Sequence, residues 1–171
     1  YAFSSIQDFD TAAQPAFAGD ALVFAHAGGL NRVELPGGAS RRQAPGSFSG
    51  AVAVSPDGRT LAATRAATAG ERLEQWERPG WRAKSGFDFW PAFDRLAFSP
   101  NGEFLAGVSR GRFELRFAVS GGKNGWQGAR GWGHGAYLTF PRDSQTVVYG
   151  WDAEFHVMDT QSGNVRKRVV A

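Results

Sequence analysis

The sequence contains no cysteine, which excludes disulfides, thiolate metal sites and a cysteine nucleophile from the outset. Long apolar runs are also missing. No stretch approaches the roughly 18 to 20 residues of a membrane helix, and the first residues lack the basic and apolar regions of a signal peptide, so membrane insertion is not expected. The chain opens on Tyr1 rather than Met, as expected of a processed chain or a part of a longer one. No 12-residue window holds an i, i+3, i+4, i+7 apolar pattern free of Gly and Pro, which argues against long helices. Charge of one sign is scarce as well. The net charge of +3 comes from 19 basic and 16 acidic residues scattered along the chain, so nucleic acid is not an expected partner.

What is present points the other way. A chain of 171 residues is long enough for one domain with a substantial core. Its 23 Gly and 8 Pro punctuate short alternating runs such as "AVAVSPDGRTLAAT" and "RFELRFAVSGG". This is the pattern of an all-β protein.

The runs repeat. "GLNRVELP" at 29–36, "GERLEQWE" at 70–77, "GRFELRFA" at 111–118 and "DAEFHVMD" at 152–159 stand in a register of 41 residues. Gly29, Gly70, Gly111 and Asp152 suit a tight turn where φ is positive. Leu35, Trp76, Phe117 and Met158, six positions on, suit the inward face of the following strand. Upstream of each lies a second strand-turn-strand feature: "FAGDALVFAH", "VSPDGRTLAATR", "FSPNGEFLAGVS" and "FPRDSQTVVYGW". A polar strand follows each. Four strands per unit at this period define a propeller blade, with expected blades at 12–45, 50–87, 94–132 and 135–171 and an extra N-terminal strand at 1–9.

"VSPDG", "FSPNG", the Gly133-His134 pair and the spacing from Asp152 to Met158-Asp159 resemble WD40 repeats, and the first unit is similar to the WD40-like repeats of TolB-type bacterial propellers. The resemblance implies a β-propeller. It also implies a partial polar network, through His134 and Asp152. Propellers have roughly four to eight blades, so the four units are read as part or half of a larger ring, a dimer completing that ring being one form of it.

Chemical motifs are weak. "GVSRG" at 107–111 matches a nucleophile elbow, but strand rather than helix follows it, and Ser109 is read as a turn serine. "SGGKNGWQGARGWGHG" lacks the Gly-Lys-Ser/Thr of a phosphate loop, and "SPDGRT" lacks Asp-box spacing. His26, His134 and His156 fall in different units without a second ligand nearby, so neither metal nor cofactor is expected. The basic "SRRQ" and "VRKRV" lie on outer strands, where Lys and Arg discourage edge pairing. Structural roles fall to Trp76, Phe117, Asp152 and Met158. Trp90, Arg110, Trp132, His134 and Trp151 gather at one loop face, either as partner contacts or, for the aromatics, as packing between blades. The expected function is a non-catalytic scaffold binding a protein or peptide. A glycan-binding propeller and an accessory propeller of a larger enzyme are the alternatives.

Overall fold

The computed structural model describes residues 15–26, 28–67, 70–88, 93–109, 111–118, 125–127 and 136–170. Among them are sixteen strands and no helix, arranged as four antiparallel four-stranded sheets in chain order. Blade 1 comprises β1 (Ala16–Ala18), β2 (Ala21–His26), β3 (Gly29–Glu34) and β4 (Ser40–Pro45). Blade 2 comprises β5 (Phe48–Val54), β6 (Thr60–Ala67), β7 (Gly70–Glu77) and β8 (Arg82–Asp88). Blade 3 holds β9 (Arg95–Phe98), β10 (Phe104–Ser109), β11 (Arg112–Phe117) and β12 (Gly125–Gln127). Blade 4 holds β13 (Ala136–Thr139), β14 (Thr146–Trp151), β15 (Glu154–Asp159) and β16 (Val165–Val170). Within each sheet every strand pairs with its neighbour in sequence, the meander of a propeller blade.

Local chemistry sets the hairpin between the first two strands of each blade. In blade 2 the Ser55 hydroxyl donates to Asp57 Oδ1 at 2.5 Å and accepts the Thr60 N–H at 2.8 Å. Blade 3 repeats this with Ser99, Asn101 and the Phe104 N–H. The turn then needs a left-handed residue, which Gly58 (φ +68°) and Gly102 (φ +76°) supply without Cβ strain. Blade 4 places Ser144 there at φ +58°. Its hydroxyl accepts the Asn101 N–H at 3.0 Å, which links the turns of blades 3 and 4.

The blades pack face to face, and each junction is a separate apolar core. Val23, Ala25 and Leu30 of blade 1 meet Phe48, Val52, Leu61, Ala63 and Trp76 of blade 2. The opposite face of blade 2, with Ala51, Ala53, Ala62 and Leu73, meets Leu96 and Leu105 of blade 3 together with Phe93. Phe104, Ala106, Val108, Phe113 and Leu115 then meet Val147, Tyr149, Trp151 and Met158 of blade 4. Alternation along each strand explains why one strand serves two cores: Leu61 and Ala63 point one way, Ala62 the other. Trp76 and Met158 are buried in these junctions, as expected.

The structural register differs from a constant 41 residues. The residues five positions after the left-handed turn residue are Phe24, Ala63, Gly107 and Tyr149, and they pair with Asn31, Glu74, Glu114 and His156. These partners are 43, 40 and 42 residues apart. The hairpin of β6 and β7 is two residue pairs longer than its counterparts, because Arg65 and Arg72 are followed by the pairs Ala66–Glu71 and Ala67–Gly70. Phe117 therefore does not occupy the position of Trp76. It lies on the opposite face, is 37 % exposed and packs against Phe104 with ring centroids 5.0 Å apart and the rings tilted by 37°. Leu35 falls beyond the end of β3 and is 41 % exposed.

Among the described residues no core joins blade 4 to blade 1. The far face of blade 1 carries Phe17, 69 % exposed, with Leu22, Phe24 and Val33. That of blade 4 carries Tyr137, 48 % exposed, with Val148, Phe155 and Val157. The expected strand at 1–9 lies outside the described residues.

Backbone proximity is tightest at Gly150, where an added Cβ would sit 2.0 Å from the Glu154 carbonyl oxygen. Backbone cannot yield there as a side-chain tip can. Gly150→Ala is expected to destabilise the chain by about 3 kcal/mol or more, whereas Gly37→Ala, into open space, is near neutral. Urea denaturation of the two variants checks this.

Candidate functional site

The four equivalent positions Asn31, Glu74, Glu114 and His156 are polar in every blade, on the face that in blades 2, 3 and 4 looks toward the preceding blade and in blade 1 is the far face. Each finds its partner inside its own sheet. Asn31 Nδ2 lies 2.6 Å from His26 Nε2, and Glu74 accepts from Arg65 Nη1 at 3.0 Å. Glu114, almost wholly buried, is held by Arg112 on one side and by Arg116 Nε and Nη2 at 3.1 and 3.0 Å on the other. A carboxylate at that depth requires such pairing to remain charged. His156 Nε2 sits 2.7 Å from Glu154, which Arg168 Nε also reaches at 2.7 Å. The Arg168 guanidinium, followed by His156, holds the Glu154 carboxyl below its ordinary range.

His156 is also one layer of an aromatic stack. Its ring lies over Tyr149, with centroids 5.1 Å apart and planes 12° from parallel. Tyr149 in turn stacks on Phe113 of blade 3 at 3.7 Å and 7°. Trp151 meets Tyr149 edge-on at 5.9 Å and donates its indole N–H to the Ser109 carbonyl at 2.5 Å. Of the residues expected to form a loop-face site, Trp151 is thus only 4 % exposed and is part of the blade 3 to blade 4 core. Its position beside the turn left a surface role and packing between blades both open. Strand alternation turns its ring inward, on the same face as Tyr149 and Val147.

Trp90, Arg110, Trp132 and His134 lie outside the described residues, and so does any bond between His134 and Asp152. Asp152 stands exposed at the tip of the β14–β15 turn with φ +49°, the left-handed conformation that a short polar side chain tolerates. Trp81 is buried in the first junction, with the Arg78 guanidinium 5.2 Å above its ring. Every tryptophan side chain that can be placed, Trp76, Trp81 and Trp151, is a packing group.

Gly107 to Ser109 end β10, which runs through its turn into β11 rather than into a helix. A nucleophile elbow needs the strand-to-helix geometry, so the G-x-S-x-G match does not mark one here. Among the described residues no three His, Asp or Glu gather as metal ligands, and no helix is long and apolar enough to cross a membrane. The alternating charges of "RFELRF" carried the signal for Glu114 and its two arginines.

At the opposite rim Asp159 organises the β15–β16 turn. Its carboxylate accepts the Gln161 and Ser162 N–H groups at 3.0 and 2.7 Å and the Ser162 hydroxyl at 2.9 Å, and it pairs with Arg166. The Ser162 bonds, amide first, and then Arg166 bring its pKa down to about 2.

No family model matches the sequence, and no curated protein matches it. Solved structures do. Hydrazine synthase from Kuenenia stuttgartiensis superposes with a TM-score of 0.74 at 14 % identity, over 100 % of this chain and 53 % of that one. TolB from Acinetobacter baumannii superposes with a TM-score of 0.63, also at 14 % identity, over 89 % of this chain and 42 % of that one. The chain spans about half the length of these structures. At this identity the likeness is one of fold. Together with the four meander sheets it defines a TolB-like β-propeller arrangement of four blades.

Two outcomes are expected. Trp151→Phe deletes the bond to Ser109 and leaves a gap where the second ring of the indole lay, and thermal or urea unfolding should register a loss of about 2 kcal/mol or more. For Asp159, the folded pKa near 2 lies below the unfolded value of roughly 3.9, so its contribution is complete above about pH 4 and lost as pH falls through 2. Between pH 5 and pH 2 the urea midpoint of the wild type should therefore fall further than that of Asp159→Asn.

Proposed function

We propose that the chain is a non-catalytic propeller scaffold that binds a protein or peptide segment through the rim bearing the turns between the second and third strands of each blade. The observation that carries this reading is the Trp151 indole bond to Ser109, because it ties the β14–β15 turn of blade 4 to the β10–β11 turn of blade 3. Neighbouring turns are held in fixed relation. A recognition surface needs variable residues on such a frame. Asp152 and Ala153 project from this rim into solvent. By sequence position Trp90, Arg110, Trp132 and His134 belong to the same set of loops and supply the aromatic and guanidinium groups that dominate binding energy at interfaces.

A second reading rests on the superposition with hydrazine synthase, an enzyme whose chain is about twice as long as this one. In that reading the four blades are an accessory module whose catalytic machinery lies in other parts of a larger assembly.

A displayed random-peptide library panned against the immobilised chain tests the first reading. Selected peptides should bind the wild type, and their affinity should fall by about tenfold or more for the combined Trp132→Ala, His134→Ala and Asp152→Lys variant. Arg166→Ala, on the opposite rim, should leave binding unchanged. Peptides that bind all variants equally, or a library that yields none, would overturn the loop-face reading.

A further inference from the structure

Three basic side chains converge on one pocket at the rim opposite the loop face. The turn between β7 and β8 encloses about 270 Å³, lined by Glu77, Arg78, Pro79, Arg82, Ala83 and Lys84. Its walls carry three cations against one carboxylate. Glu77 reaches Lys84 only across 4.0 Å, with 54 % and 40 % of the two side chains exposed, so this pair is loose and neutralises little. Neither Arg78 nor Arg82 meets a carboxylate among the described residues. In the adjoining β5–β6 turn Asp57 is already engaged, by the Ser55 hydroxyl and the Arg59 N–H.

The turn is fixed before any ligand arrives. Trp81, at φ +51°, sends its ring into the junction of blades 1 and 2. Its carbonyl accepts from Gln43 Nε2 of blade 1 at 3.5 Å, and the Arg78 N–H donates to the Arg59 carbonyl at 2.9 Å. The Arg78 guanidinium lies 5.2 Å over the Trp81 ring. Such stacking uses one face of the guanidinium and leaves its in-plane N–H donors free. A stacked arginine has less freedom to lose on binding than one that extends into water.

We infer that this pocket binds a phosphoryl group, with Arg78 and Arg82 donating in-plane N–H groups to its oxygens and Lys84 supplying a point charge. Charge decides the class of ligand. A phosphate monoester carries about −1.5 to −2 near neutral pH, which matches the excess of two positive charges in the walls, whereas a single carboxylate meets half of it. Geometry agrees, because the guanidinium fork pairs with two oxygens of one phosphoryl group. The volume falls just below the roughly 300 to 1,000 Å³ of small-molecule sites, so the pocket takes the head group and leaves any remainder in solvent. The site and the loop face lie on opposite rims, so this inference stands or falls independently of peptide binding.

The test follows the Trp81 indole N–H signal of the whole chain in proton–nitrogen correlation spectra, assigned with Trp81→Phe. Inorganic phosphate and phenyl phosphate are titrated separately at constant ionic strength. The signal should move along a saturating single-site curve with phosphate and stay in place with chloride. Tighter binding of phenyl phosphate makes the natural ligand a small phosphate ester, and equal binding makes it free phosphate; both uphold the phosphoryl site. Arg78→Gln and Arg82→Gln change exposed side chains, so the rest of the spectrum should persist while affinity falls by about tenfold or more. Glu77→Gln removes the competing carboxylate and should raise affinity by about twofold. Arg166→Gln, on the same rim in blade 4, should leave it unchanged. A drift without saturation, an equal shift with chloride, or Arg78 and Arg82 variants that bind like the wild type would each overturn the proposal.

Discussion

Everything in this fold depends on covering both faces of each sheet. An antiparallel sheet can leave one face in water, but the strands of blades 2 and 3 carry apolar residues on successive positions, as in Leu61, Ala62 and Ala63 or Phe104, Leu105 and Ala106. Such strands are stable only between two neighbours. Alanines at Ala51, Ala53, Ala62 and Ala63 let the sheets approach closely, while Phe48, Trp76, Phe93 and Tyr149 fill the space that remains.

Polar groups are fitted into these junctions without relying on them. Glu74, Glu114 and His156 face a neighbouring blade, yet their charged or hydrogen-bonding partners lie in their own sheets. The charged and imidazole groups at these positions are thus paired within their own blade, and docking adds mainly apolar contact. Among the described residues the hydrogen bonds seen to cross between blades are Arg65 to the Pro45 carbonyl, Gln43 to the Trp81 carbonyl, the Asn101 N–H to Ser144, and Trp151 to Ser109. This division is that of a repeat protein, with intrinsic units and nearest-neighbour interfaces.

The sequence made the class and the meander readable because they are written locally. Ser-Pro-Asp-Gly and Ser-Pro-Asn-Gly specify the first hairpin of blades 2 and 3 through a few hydrogen bonds, and alternation specifies the strands. Which residue faces which neighbour was less legible. A shift of one residue exchanges the two faces of a strand, and the longer β6–β7 hairpin shifts the register in a way that a glycine-to-glycine count conceals. Phe117 was misplaced for that reason. For Trp151 the sequence left partner contact and packing between blades both open, because closeness to a turn in sequence says little about side-chain direction. Asn31, Glu74, Glu114 and His156 escaped notice because four different residue types share one role, and only the pairing reveals the common position.

Gly107 gives the array an order that cannot be shuffled. Its missing Cβ would lie 2.7 Å from the Phe93 ring, so this junction is cut to admit a phenylalanine from the linker that precedes β9. The equivalent position is Ala63 in blade 2 and Tyr149 in blade 4. Blades built on one strand plan thus present faces shaped to different neighbours. Excising blade 3 would bring the Tyr149 face against the Leu73 face, two surfaces never fitted to one another. A unit removed or exchanged leaves unfitted faces in contact, so the blade order is set by the junctions as firmly as by the chain.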